Sequence, residues 1–131
     1  MEAQRNLQHN IGVAAQIGTY SDAVQVPPGA TWLITAGTPG LALDGSLPDT
    51  MAGQAELAWQ HILAMLDRAG MGIADVVKIT HYLKHEADIA EYARIRSRFL
   101  GEARPASMLL IVPALVRPGF LLEIEVIAAR A

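Results

Sequence analysis

At 131 residues with a formal net charge of −3 and no cysteine, the chain is one domain that holds no disulfide, no thiolate metal site and no thiol nucleophile. Mild acidity gives no electrostatic reason to bind nucleic acid or an anionic membrane, and no apolar run approaches the length of a membrane span. Hydrophobic residues make up 52% against 18% charged, an excess that points to apolar surface covered by other subunits.

In chain order, Met1-Glu2-Ala3-Gln4-Arg5-Asn6 lacks the basic start and apolar core of a secretion signal, so a cytoplasmic setting is expected. A short strand around Asp22 to Val26 leads into Pro27-Pro28-Gly29, which suits a type II turn, and Thr31 to Ala36 is expected to return as its hairpin partner. Gly37 to Asp49, punctuated by Pro and Gly around Leu41-Ala42-Leu43, reads as loop or an irregular short strand. From Thr50 the period changes to three and four, with Ala55, Ala58 or Trp59, Ile62, Leu66 and Ala69 on one face. That pattern predicts a helix capped by Asp49 or Thr50 and stopped by Gly70.

Residues 75–83 then alternate, placing Val77, Ile79, His81 and Leu83 on one strand face. A second helix over 87–100 buries Ile89, Tyr92 or Ala93, Ile95 or Arg96, and Phe99 before Gly101 ends it. Two strands finish the chain, one after Arg104-Pro105-Ala106-Ser107. In the other, Leu122, Ile124, Val126 and Ala128 oppose Glu123, Glu125 and Ile127. Strands, helix, strand, helix, strands in one α+β domain over 1–131 predict a mixed sheet with both helices on one face. The other face then needs cover from further subunits.

Carboxylates among Leu and Ile are costly to bury unpaired, so this strand face should end near solvent, at a subunit seam or in a site. His81 and His85 stand four apart but on a strand and its following turn, with no third ligand, so His81 reads as a core or rim histidine and no metal is expected. His61 falls on the polar side of its helix and is expected in solvent. Arg94 and Arg98, with Glu91 nearby, form an exposed charged stripe rather than a nucleic-acid surface.

Several motifs together carry a resemblance: Gly18-Thr19-Tyr20-Ser21-Asp22-Ala23-Val24, Ala36-Gly37-Thr38, Ala69-Gly70, Ala74-Asp75-Val76-Val77-Lys78-Ile79-Thr80, Arg104-Pro105-Ala106-Ser107 and Glu123-Ile124-Glu125-Val126-Ile127-Ala128. In order and spacing the chain resembles the RidA/YjgF/UK114 (Rid) family over about residues 16–129. The resemblance implies a chorismate-mutase-like α+β fold, a homotrimer with a central barrel and ligand clefts between subunits, no cofactor, and hydrolysis of reactive enamines and imines to carbonyl and ammonia. Some similar proteins carry endoribonuclease or translation-inhibitor labels.

Carried over, the resemblance places Tyr20, Gly37 and Thr38 against the ligand and gives Glu123 the task of holding the attacking water, with Glu125 structural. The family's carboxylate-gripping arginine is replaced here by Ser107, and an asparagine of its second helix by Ala93. Arg104 stands three positions earlier, and an odd shift along a strand reverses the face, so it is a poor substitute. A guanidinium offers a charged bidentate fork where Ser107 offers one neutral hydroxyl, so poor activity on amino-acid-derived imines is expected. Three readings follow: a divergent imine hydrolase using Glu123, Tyr20, Gly37, Thr38 and Ser107, a trimer that binds a metabolite without turnover, and RNA cleavage, which no residue supports.

Overall fold

The computed structural model describes residues 4–131. Four strands lie side by side in the order β3 (Thr31–Ile34), β7 (Leu122–Arg130), β5 (Val76–Leu83), β6 (Ala106–Ile111), and β4 (Thr38–Pro39) pairs further along β7. Helix α2 (Ile89–Leu100) connects β5 to β6, and those two strands are parallel, as a helical crossover allows. All other pairs in the sheet are antiparallel.

The N-terminal region departs from the hairpin expected of it. β2 (Ala23–Gln25) pairs with β1 (Leu7–His9) in a separate ribbon, while β3 pairs with β7. Pro27-Pro28-Gly29 does turn the chain, with Gly29 at φ +79°. Two prolines, however, bring no N–H to the first rungs of a β2–β3 ladder. β7 instead offers β3 a long apolar row, and Leu33 pairs with Ala128 there.

Helix α1 (Met51–Arg68) starts where Thr50 Oγ1 accepts the Gly53 N–H at 3.1 Å, which selects Thr50 of the two caps the sequence offers, and Gly70 follows its end at φ +71°. Its Ala55, Ala58, Trp59, Ile62 and Leu66 are buried with Tyr92 and Ile95 of α2 over Ile79 and Leu83 of β5 and the Leu122–Ile124–Val126–Ala128 row of β7. Both helices cover this one face.

One polar side chain ties the loops to that core. Gln54 is buried, donates from Nε2 to the carbonyls of Pro48 (2.9 Å) and Gly119 (3.0 Å), and accepts the Leu121 N–H at 2.8 Å. Beside it, a Cβ on Gly40 would lie 2.2 Å from the Gln54 carbonyl oxygen, so only glycine allows the 37–49 segment to pass that close.

The opposite face is open. Register places Lys78, Thr80 and Tyr82 of β5 beside Glu123, Glu125 and Ile127 of β7, Ile34 of β3, and Met108 and Leu110 of β6. Ile34 is 71% exposed and Met108 49%. No helix of the described residues is long and apolar enough to cross a membrane.

Candidate functional site

Glu123, Gly37 and Thr38 come together. β4 pairs Thr38 with Ile124 and Pro39 with Glu123, which brings the preceding Gly37 against the acid. A Cβ at Gly37 would sit 3.6 Å from Glu123 Oε1, so glycine leaves one side of that carboxylate open. Glu123 is half-buried, and burial pushes its pKa up. Two residues on, Glu125 accepts the Tyr82 O–H at 3.0 Å, a bond that in turn raises the Tyr82 pKa.

An open cleft of about 460 Å³ continues from Gly37 and Thr38 past Leu41, His61 and Arg68. His61 is not simply solvated, as its helical position suggested: its Nε2 bonds the Leu41 carbonyl at 2.7 Å and holds the cleft wall to α1.

Tyr20 and Ser107 form a second group. The Asp22 carboxylate accepts the N–H groups of Ile11 (2.8 Å) and Ala14 (2.8 Å), which fixes the preceding loop and holds the acid's pKa down. Ser21 is buried; its N–H donates to the Pro105 carbonyl at 3.1 Å and its hydroxyl to that of Arg104, so Tyr20 is pinned to the start of β6.

Ser107 is half-buried and faces the helices, where its Oγ lies 3.0 Å from His81 Nε2. His81 is fully buried and bonds the Tyr92 hydroxyl through Nδ1, with the two rings edge to face. Burial, aided by the charges of Arg96 and Lys78, lowers the His81 pKa to about 3, so the imidazole is neutral. The Tyr92 hydroxyl is pushed up, chiefly by burial.

The sequence offers His81 as a core or rim histidine and Tyr92 or Ala93 as the buried helix position; the structure buries both His81 and Tyr92, and the contact of His81 with Ser107 is not among the sequence expectations. The available signal was polar groups at apolar positions: His81 between Ile79 and Leu83 on an otherwise hydrophobic strand face.

Three arginines make local contacts. Arg104 Nη1 donates to the carbonyls of Gly101 (2.9 Å) and Ala103 (2.8 Å), which holds its guanidinium just beyond α2. Arg98 pairs with Glu56 at 3.0 Å, and Arg96 lies over the Tyr92 ring at 5.6 Å. Among the described residues no group of three or more His, Asp or Glu is placed to hold a metal ion.

One subunit does not bring the two groups together. Ser107 pairs through Ile79 to Val126, three residues along β7 from Glu123, and that odd offset leaves the two side chains on opposite faces of the sheet.

Comparison with known proteins agrees with this architecture. The model of the family described as Endoribonuclease L-PSP matches residues 12–130. A Pyrococcus abyssi protein of the RutC family is 33% identical over 118 residues, covering 87% of this chain and 88% of its own. The crystal structure of the Rid-family protein YyfB from Yersinia pestis superposes with a TM-score of 0.82 at 26% identity, over 95% of this chain and 98% of that one. TdcF from E. coli, solved with bound serine, gives a TM-score of 0.73 at 27% identity, over 88% and 91%.

Proposed function

The chain belongs to the endoribonuclease L-PSP (RidA/YjgF) family, and from that premise we propose that it is a homotrimer whose clefts between subunits hydrolyse uncharged imines to a carbonyl compound and ammonia. The observation that carries this reading is the half-buried Glu123 carboxylate left open by Gly37. Exposed Ile34 and Met108 on the open sheet face support a trimer, since burying them needs another copy. In such an assembly the Tyr20–Ser107 edge of one subunit meets the Glu123–Gly37–Thr38 group of the next.

The chemistry then follows from the residues. Glu123 accepts a proton as water attacks the imine carbon, and the C=N π electrons move to nitrogen. The same carboxyl returns the proton to nitrogen, giving a carbinolamine; it then takes the carbinolamine hydroxyl proton as the carbonyl forms and delivers it to nitrogen, so that the C–N bond breaks and ammonia leaves. A pKa raised by burial suits a group that must both take and give that proton. Tyr20, Ser107 and the Gly37–Thr38 backbone orient the ligand. Without a guanidinium at Ser107, carboxylate-bearing imines lose charge-assisted bonds of about 1.5–3 kcal/mol each, which favours uncharged ones.

The test is ammonia release from imines generated in situ. Parent protein is expected to accelerate hydrolysis, and Glu123→Gln to lose at least 100-fold in kcat; no acceleration on any imine would sink the proposal. The same neutral Ser107 and Ala93 favour a second reading, ligand capture without turnover, and the E. coli relative with bound serine supports a small-molecule cleft. Calorimetric binding of a metabolite with no hydrolysis would select it. RNA is expected to stay intact, since Arg98 is paired and Arg96 stacked.

A further inference from the structure

We infer that Tyr92 fixes His81 as the tautomer protonated at Nε2, so that His81 donates to Ser107 and leaves the Ser107 hydroxyl proton to an uncharged acceptor atom of a ligand. Ser107 is thereby a specificity-determining donor and not a nucleophile. The identity of the acceptor, a carbonyl oxygen or an imine nitrogen, rests on the function proposed above; the wiring of the three side chains does not.

The wiring follows from counting donors. Tyr92 is fully buried, and a buried hydroxyl that donates to nothing loses its hydration without return. The acceptor within its reach is His81 Nδ1. Trp59 Nε1–H acts on the same phenol oxygen, at a geometry looser than a full hydrogen bond, but an indole nitrogen only donates. The Tyr92 proton therefore points at Nδ1, and a neutral imidazole that accepts there carries its one proton on Nε2. That N–H faces Ser107 Oγ at 3.0 Å.

A serine nucleophile needs the reverse polarity. Ser107 would have to donate to Nε2, Nδ1 to donate to Tyr92, and the Tyr92 proton would be left without an acceptor. A doubly protonated His81 is excluded at ordinary pH by burial beside Arg96 and Lys78. With one lone pair of Ser107 Oγ held by His81 and no second partner among the described residues, the hydroxyl proton is available to a ligand at the sheet edge.

Nitrogen-15 spectra of the imidazole test the wiring directly. A variant with His9→Gln, His61→Gln and His85→Gln leaves His81 as the single histidine. The expected spectrum shows protonated Nε2 and bare Nδ1, unchanged from pH 5 to 8; protonated Nδ1, or titration in that range, overturns the inference. A fluorophosphonate offers an independent check, because it bonds phosphorus to a serine oxygen and expels fluoride only where a base takes the serine proton. No adduct is expected, and a Ser107 adduct also overturns the inference.

The ligand half is read from an imine made by an amine oxidase from a neutral primary amine. Ser107→Ala should raise its KM about 3- to 10-fold with kcat kept, and Ser107→Thr should restore it. An unchanged KM overturns that half. A parent that hydrolyses no imine overturns the proposed function, while the spectra and the fluorophosphonate still decide the wiring.

Discussion

The two faces of the sheet are built from the same strands and differ in completeness. On the covered face, Ile79, His81 and Leu83 of β5 meet helices of their own chain, and every one of them is fully buried. On the open face, the alternating neighbours Lys78, Thr80 and Tyr82 of β5 meet Glu123 and Glu125 and exposed apolar side chains, with nothing of this chain above them. One face completes a fold within a single subunit; the other leaves apolar side chains uncovered. The candidate chemistry straddles the two, with Ser107 anchored to the complete face and Glu123 on the incomplete one.

The difference is sharpest where a charge enters the open face. Met108→Glu places a carboxylate in the proposed subunit seam, so light scattering should show the trimer reduced to monomers and hydrolysis lost, while circular dichroism stays unchanged; a trimer that persists would show that this face is not the seam. Trp59→Ala probes the covered face instead. Trp59 is fully buried against Phe99 and His81, and its truncation should cost about 3–5 kcal/mol in denaturant unfolding. A loss near 1 kcal/mol would mean the face is more weakly packed than it looks.

Acid separates the faces by sign. The folded His81 pKa lies near 3 against an ordinary 6.5, so between those values the unfolded chain binds more protons and stability falls as pH falls. The slope approaches about 1.4 kcal/mol per pH unit, or about 2–3 kcal/mol from pH 6 to 4. Glu123 acts in the opposite direction: its raised pKa makes the folded chain hold a proton more tightly, which adds stability as pH drops through that range. Denaturant titrations of His81→Leu should therefore lose the acid-sensitive slope; an unchanged slope would place the sensitivity elsewhere. The smallest effect is expected for Arg98→Ala, at about 0.5 kcal/mol or less, because its pair with Glu56 is exposed at both ends. A larger loss in thermal or denaturant unfolding would give that surface pair a structural role.

Much of the covered face was legible in the sequence, because local periodicity is what burial against a helix imposes. The α1 stripe as far as Leu66, a cap at Thr50 (one of the two residues offered for it), the β5 alternation and the Leu122–Ala128 row appear as expected, whereas Ala69 lies exposed past the helix end. Pairing was less legible. Nothing local to Ala23–Gln25 announces that it pairs with Leu7–His9 rather than with Thr31–Ile34, since partner choice is settled by segments far along the chain. The Ser107–His81 contact is hidden for the same reason: it depends on the β5–β6 register, which α2 and its loops set. A single-chain reading likewise groups Tyr20, Ser107 and Glu123 by motif, although the sheet keeps Ser107 and Glu123 on opposite faces.

The Gln54 amide has a practical consequence. It clamps the chain at Gly119 and Leu121, and the Val112 N–H is held by the Leu83 carbonyl at 2.8 Å, so the segment between enters and leaves the sheet at fixed points. Val116, at its middle, is 80% exposed and packs on nothing the core needs. A peptide tag or a recognition sequence spliced in there would hang from two anchored ends, which makes this loop the natural graft point for anyone building on the scaffold.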